Sequence, residues 1–285
     1  MYYDNVMVDL HTHSTASDGT YSPAELIQKA SSLPLKAIAL TDHDTLSGIQ
    51  EAKEEAKRCN IIFIPGVEIS IEWTHGECHL LGLGVDEDCD ELNNLLSTLR
   101  NGRIERGRLI AKKLNEAGFN IDYDEILKDS NGVIGRPHFA SYMLKKKIVK
   151  SIQEAFDKYF GIARPFYIEN KNANLQNALN AIKKAHGISV LAHPMSLYRS
   201  WKNLPSIISQ FKEMGLLGIE AWHPGTKYNN CKRLEKLGIS LSLIITASSD
   251  FHGERRKDRH LGRTCNNIAI EDSYFENLIN GGLKL

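Results

Sequence analysis

Four apolar runs of strand length in this 285-residue chain each end on a short polar tip that carries histidine. Val6 to Leu10 runs into His11-Thr12-His13, and Leu35 to Leu40 into Thr41-Asp42-His43-Asp44. Ile188 to Leu191 runs into Ala192-His193-Pro194, and Leu243 to Thr246 into Ser248-Ser249-Asp250-Phe251-His252. A further strand is expected over Leu217 to Ala221. Helical patterns separate these runs. Ser22-Pro23-Ala24-Glu25 combines the cap, the first-turn proline and the capping-box glutamate of a helix start. Thr45 is placed to cap a helix over Ser47 to Arg58, and Leu175 to Ala185, Leu204 to Met214 and Tyr228 to Leu237 carry a helical period. Strand, polar loop and helix in repetition bury their apolar faces as a parallel sheet flanked by helices. The expectation is an α/β fold, closed or nearly closed into a barrel, with its chemistry at the carboxyl ends of the strands.

Other segments break the rhythm. Ile61 to Ile64 and Val67 to Ile71 read as two extended pieces separated by Pro65-Gly66, and His79 to Val85 as another strand. From Leu92 to Ile168 the pattern is amphipathic with almost no strand signal, which reads as a helical insertion. Residues 1–91 and 169–285 would then form the barrel and 92–168 a subdomain over the active site. Asn280-Gly281-Gly282 reads as a loose tail.

Lys+Arg and Asp+Glu both number 35, so the net charge is zero. That argues against coating nucleic acid or an acidic membrane by bulk electrostatics, and a phosphate-bearing partner must be held locally. Five widely spaced cysteines without a C-x-x-C pair fit reduced cytosolic thiols. MYYDNVMVDL lacks the basic region of a leader, and the longest apolar run, near Ile239 to Ala247, is too short for a bilayer. A soluble cytoplasmic protein with no membrane association and no obligatory protein partner is expected.

His11 and His13, two apart on an extended segment, point to one side and can offer two imidazoles to one ion. An isolated H-x-H is more often an ordinary surface pair. Recurrence changes its weight. His43, Glu68 in Gly66-Val67-Glu68, His79, His193, Asp250 and His252 sit at edges of apolar strands, and six of the eleven histidines fall in such places. Buried imidazoles and carboxylates need partners, and shared divalent ions satisfy them together.

Through His11-Thr12-His13, Ser17-Asp18-Gly19, Thr41-Asp42-His43-Asp44, Gly66-Val67-Glu68, His79, Ala192-His193-Pro194 and Ser249-Asp250-Phe251-His252 the sequence resembles the PHP (polymerase and histidinol phosphatase) phosphoesterases. Gly135-Arg136-Pro137-His138-Phe139 is similar to the stand-alone bacterial branch, which includes nucleoside 3′,5′-bisphosphate phosphatases and a 5′→3′ oligonucleotide exonuclease. The resemblance implies a distorted (β/α)7 barrel with a mainly helical insertion and three divalent metal ions. His11, His13, Glu68 and Asp250 would hold one ion, Asp18, His43 and His252 a second, and Glu68, His79 and His193 a third, with Glu68 as bridge. Some members carry histidine where Asp18 stands. Nitrogen and oxygen donors without thiolate suit Mn²⁺, Zn²⁺ or Fe²⁺, and Mn²⁺ is taken first.

Three such ions bring about +6 against about −3 from Asp18, Glu68 and Asp250, a locally positive pocket in a neutral protein. Two ions roughly 3.5–4 Å apart make a metal-bound water a nucleophile near neutral pH, so no protein nucleophile is expected. Arg136 can grip phosphate with two N–H groups, and His138 or His223 can add a donor or protonate the leaving oxygen. Arg103 and Arg106 read as a solvated charged face. Asp42 and Asp44 read as braces for His43 or as caps, and Trp73 and Trp222 as base-stacking or core residues.

The expected reaction is hydrolysis of phosphate monoesters of nucleotides, 3′,5′-bisphosphates or mononucleotides. The alternative is a 5′→3′ exonuclease on short RNA or DNA. Amidohydrolases also place H-x-H on a barrel, but they commonly bridge their metals with a carboxylated lysine where Glu68 stands here. A non-catalytic metal-binding module is disfavoured by the complete set of candidate ligands.

Overall fold

The computed structural model describes residues 7–128, 134–169 and 171–284, so Val6, the start of the first expected strand, lies outside them. Seven strands form one sheet in chain order. β1 (Met7–Asp9), β2 (Leu35–Leu40) and the first half of β3 (Ile62–Ile71) are parallel. β4 (Cys78–Leu83) is antiparallel to both neighbours, and β5 (Ile188–Leu191), β6 (Gly218–Trp222) and β7 (Ile244–Ala247) are parallel again. Among the described residues no ladder joins β7 to β1. The two edges meet instead through a single parallel bridge of Thr12 with Phe251, where His13 N donates to Phe251 O at 2.9 Å.

α1 (Pro23–Ser31) starts as the sequence predicts: Ser22 Oγ accepts from Glu25 N at 3.2 Å and Glu25 Oε2 from Ser22 N at 2.8 Å. Such a box is worth about 1 kcal/mol. α2 (Ile49–Cys59) starts behind Gly48 rather than Thr45. Thr45 Oγ1 accepts from Ser47 N at 3.2 Å, so the threonine closes a turn of its own before the helix begins. α3 (Asp90–Glu116), α4 (Tyr123–Lys128), α5 (Arg136–Lys145) and α6 (Ile152–Ala155, running into a π turn to Phe160) follow β4. Among the described residues no strand lies in this stretch. α7 (Leu175–Lys184), α8 (Leu204–Glu213) and α9 (Tyr228–Ser240) alternate with the last strands, and α10 (Ser273–Asn280) comes last.

β2 shows how the core is divided. Ala37 and Ala39 join the main cluster, whereas Ile38 and Leu40 on the opposite face pack with Leu26, Ile27, Ala52 and Ala56 of α1 and α2. Alternate residues of a strand face opposite sides, and burying each large aliphatic contributes about 1.5–3 kcal/mol. α3 is shared between two cores. Leu92, Leu96 and Leu99 pack with the sheet, and Ile110, Ala111 and Leu114 pack with Phe139, Met143 and Phe160.

Two further expectations are corrected. Pro65-Gly66 does not separate two strands: β3 runs through it, and there the strand exchanges neighbours. Pro65 is the last residue in register with β2, and Gly66 the first opposite β4. A Cβ on Gly66 would lie 3.0 Å from Gly82 O and 3.1 Å from Leu40 O, so only glycine lets both backbones close in. The C-terminal segment is not a loose tail either. Asn280 ends α10, a Cβ on Gly281 would meet Ile244 Cδ1 at 2.2 Å, and the buried Leu283 covers Gly84. An apolar residue beyond the glycines supplies the anchor.

Gly238, inside α9, allows that helix onto β6 and β7: a Cβ there would lie 2.4 Å from Ile245 Cδ1 and 2.7 Å from Ile219 Cγ2. Alanine normally stabilises a helix interior by about 1 kcal/mol over glycine. At this position overpacking wins, and Gly238→Ala is expected to lower unfolding free energy in urea by about 1–3 kcal/mol. A gain in stability would refute the packing argument.

Candidate metal centre

The nine candidate ligands gather at one end of the sheet. β1, β2, β5 and β7 deliver theirs from the loops past their carboxyl ends, β3 carries Glu68 within the strand, and antiparallel β4 delivers His79 from its amino end, which lies at the same edge. Three of the loops turn through left-handed backbone at Asp44 (φ 53°), His193 (φ 28°) and Asp250 (φ 48°). Such geometry costs about 1–3 kcal/mol per residue and persists only where surrounding contacts hold it.

Glu68 stands at the centre, 1% exposed. Its Oε2 lies 3.3 Å from His11 Nε2, 3.3 Å from His13 Nε2 and 2.9 Å from His43 Nδ1. Its Oε1 lies 2.9 Å from both His79 Nδ1 and His193 Nε2. Asp250 Oδ1 is 3.2 Å from His13 Nε2, 3.4 Å from His11 Nε2 and 3.5 Å from His252 Nδ1. Asp18 Oδ1 is 3.3 Å from His252 Nε2 and 3.9 Å from His43 Nε2. Donor atoms fall into three groups whose members lie within 4.8 Å of one another: His13, Asp18, His43 and His252; His11, His13 and Asp250; and His43, Glu68 and His79.

The donor chemistry fits a divalent cation. His11 Nδ1 lies 3.0 Å from Glu220 Oε1, so that nitrogen carries a ring proton and Nε2 is the one turned inward, 3.0 Å from His13 Nε2. His252 Nδ1 lies 2.8 Å from the Asp250 carbonyl, which likewise turns its Nε2 toward Asp18. His13 Nδ1 and Asp18 Oδ1 are buried without any hydrogen bond. Buried polar atoms without partners cost about 1–3 kcal/mol each, which a shared cation removes.

Electrostatics among these groups is strongly coupled. Burial alone would raise Glu68, but the imidazoles of His43, His11 and His79 outweigh it and hold the carboxyl well below its usual range. Asp250 is likewise held low against burial by Arg259, His11 and His252. Burial, with His252 and His43 alongside, pushes His13 down to about 3, which keeps it neutral and able to donate a lone pair.

The ligand cluster opens into a cleft of about 1230 Å³. Arg136, His138 and His223 all line it. Arg136 Nη1 donates to Phe160 O at 3.2 Å, and its Nη2 lies 3.5 Å from Glu77 Oε1. His138 Nδ1 accepts from Gly135 N at 3.1 Å, so Nε2 carries the proton. Burial and the Arg255 cation push His138 down to about 4 and keep it neutral. His223 is engaged on both ring nitrogens, at 3.0 Å from Gly225 N and 3.1 Å from Asp250 Oδ2.

Arg103 and Arg106 are not a solvated face. Arg103 Nε donates to Asp44 Oδ2 at 2.6 Å and Nη2 to Ser70 Oγ at 2.7 Å, and the buried Arg106 donates from Nε to Ile168 O at 2.8 Å. Both line the cleft, because α3 turns this face toward β3. Asp42 braces the loop after β1, accepting from Ser14 N at 2.8 Å and Ser17 Oγ at 2.5 Å. Trp73 lines the cleft, whereas Trp222 is buried with Nε1 on Glu235 Oε1 at 3.1 Å.

Sequence reasoning missed Glu220 and Arg259. Glu220 bonds His11 and accepts from His193 N at 2.7 Å, and its signal was a glutamate inside the apolar strand Gly218-Ile219-Glu220-Ala221-Trp222. Arg259 had none, since it closes a charged run, Arg255 to Arg259, that reads as solvated.

A strand-end cluster of imidazoles and carboxylates beneath an arginine-walled cleft defines a metal-dependent phosphoesterase, a hydrolase acting on ester bonds. The family model described as PHP domain matches residues 9–173. The chain is 32% identical over 259 residues to a 3′,5′-nucleoside bisphosphate phosphatase of Chromobacterium violaceum, covering 90% of this chain and 91% of that one. It is 34% identical over 244 residues to a 5′-3′ exoribonuclease of Haemophilus influenzae, covering 86% and 89%. A solved structure assigned as a metal-dependent phosphoesterase from Bifidobacterium adolescentis superposes with a TM-score of 0.86 at 26% identity, covering 98% and 97%. The chain belongs to the PHP family.

Glu220 also makes a pH prediction. Burial would raise it, but the His11, His223 and His193 imidazoles outweigh burial and lower it from 4.5 to about 2. A lowered carboxyl stabilises the fold above its unfolded value, and that contribution fades as pH falls from 4.5 toward 2. In chelator-treated protein, Glu220→Gln should remove at most about 3 kcal/mol at pH 6 and flatten the loss of stability between pH 4.5 and 2. Urea titrations at several pH values check this, and an unchanged slope would refute it.

Proposed function

We propose that this chain hydrolyses phosphate monoesters of nucleotides, 3′,5′-bisphosphates or mononucleotides, with three divalent ions, Mn²⁺ before Zn²⁺ or Fe²⁺. The observation that carries this reading is the convergence of six imidazoles and three carboxylates on the floor of a cleft walled by Arg103, Arg106 and Arg136. In this reading His11, His13, Glu68 and Asp250 hold one ion, Asp18, His43 and His252 a second, and Glu68, His79 and His193 a third. When bound, such ions acidify a water and neutralise phosphate oxygens during in-line attack.

The chain's own groups do the rest. Arg136 turns its remaining N–H groups to a phosphate, and His138, neutral with its proton on Nε2, donates to a phosphate or leaving oxygen. Burial of the cleft floor strengthens each of these contacts. Residues 92–168 act as a subdomain that walls the cleft, and 1–91 with 169–285 as the barrel beneath it. All five cysteines are free, which suits a cytoplasmic setting.

A 5′→3′ exonuclease activity on short RNA or DNA is the second reading, favoured by the cleft itself. About 1230 Å³ exceeds the 300–1,000 Å³ typical of small-molecule sites and leaves room for more than one nucleotide. The exoribonuclease relative supports it as well.

Phosphate release with added Mn²⁺ from adenosine 3′,5′-bisphosphate, AMP and histidinol phosphate, set beside mononucleotide release from a 5′-phosphorylated oligonucleotide, separates these readings. His11→Ala and Asp250→Ala should each cut turnover by about 10³-fold while circular dichroism stays unchanged, about 4 kcal/mol of transition-state stabilisation. Undiminished turnover in either variant would sink the ligand assignment.

A further inference from the structure

We propose that Arg259 is a positioning residue that divides the two oxygens of Asp250, holding Oδ2 so that Oδ1 alone faces the histidine cluster. The proposal rests on the metal-hydrolase reading above. Arg259 is 6% exposed and reaches Asp250 Oδ2 with Nη1, which also lies 3.4 Å from the Asp250 carbonyl. His223 converges on the same oxygen. Its Nδ1 accepts from Gly225 N at 3.0 Å, so its proton sits on Nε2, 3.1 Å from Oδ2. Nη1 and Nε2 are 2.9 Å apart because both are N–H donors aimed at one acceptor.

Among the described residues, Oδ1 meets only imidazoles of the cluster. It looks toward His13, His11 and His252 at 3.2, 3.4 and 3.5 Å. A carboxylate without a fixed oxygen rotates and can offer both oxygens to one ion, whereas this one is restricted to a single inward donor. The left-handed backbone at Asp250 (φ 48°) needs such an anchor, and a buried guanidinium costs several kcal/mol unless a carboxylate meets it. His223 thereby serves Asp250 rather than the substrate, since neither ring nitrogen is left to turn into the cleft.

The test compares the unaltered full-length chain with Arg259→Met, Arg259→Lys, Asp250→Asn and the Asp250→Asn/Arg259→Met double variant. Mn²⁺ affinity is measured by calorimetry, Mn²⁺ content by elemental analysis, and kcat and KM on adenosine 3′,5′-bisphosphate. Arg259→Met should weaken Mn²⁺ binding by about 10–100-fold and lower kcat at saturating Mn²⁺, with KM within about threefold. In the Asp250→Asn background the same change should add less than about threefold, because no carboxylate charge remains to be held. Unchanged Mn²⁺ binding with a raised KM would make Arg259 a substrate contact and overturn the proposal alone. Absence of Mn²⁺ binding by the unaltered chain would overturn the metal reading and this proposal with it. If Arg259→Met does not melt cooperatively, Arg259→Lys decides. Binding weakened by about threefold or more supports the proposal, and unchanged binding overturns it.

Discussion

Five imidazoles surround one buried carboxylate, Glu68, at 2.9–3.3 Å, and the architecture of the sheet serves that arrangement. A lone ionised carboxylate in the interior costs several kcal/mol, so its partners must be supplied from every side. The exchange of neighbours at Pro65-Gly66 makes this possible. Glu68 N donates to Asp42 O at 3.2 Å and Asp44 N to Glu68 O at 2.9 Å, which ties the carboxylate to the tip of β2. The same residue pairs across β4 with Leu81, and β4 carries His79 back from the opposite direction. A wholly parallel sheet would place the amino end of β4 on the far face.

Around this centre, a second tier of buried charges fixes the orientation of the first. Asp42 holds the serines after His13, Asp44 holds Arg103, Glu220 fixes the His11 tautomer, and Arg259 meets Asp250. Polar networks of this kind rigidify a site when every member is satisfied and are costly when one is missing.

The histidine-bearing strand tips were legible because two periodicities, strand and helix, meet at a residue type that rarely sits in such places by chance. The capping box at Ser22 was legible for the same local reason. Arg103, Arg106 and Arg259 were not, since a charged residue on a helix or in a basic run looks solvated until the tertiary fold sets another element against it. Thr45 was misread because its side chain serves two local structures equally well. Pro65-Gly66 carries the signature of a break, and only the positions of β2 and β4 show that it is a crossover. The anchoring of Leu283 over Gly84 depends on a contact across some two hundred residues, which no local pattern encodes.

The seam between the sheet's two edges has a consequence for the order in which the molecule comes into being. Asp9, at the end of β1, accepts from Ser249 N at 3.0 Å and Gly262 N at 2.8 Å, so the first strand is completed by residues 240 and 253 positions further along the chain. A chain still emerging from the ribosome owns His11, His13, Glu68 and His79 long before Asp250 and His252 exist. Contacts of such sequence separation form late because the loop they close is long. The centre therefore closes only once Asp250 and His252 have been made, and a chain that still lacks them leaves the imidazoles and carboxylates of its first strands without those partners.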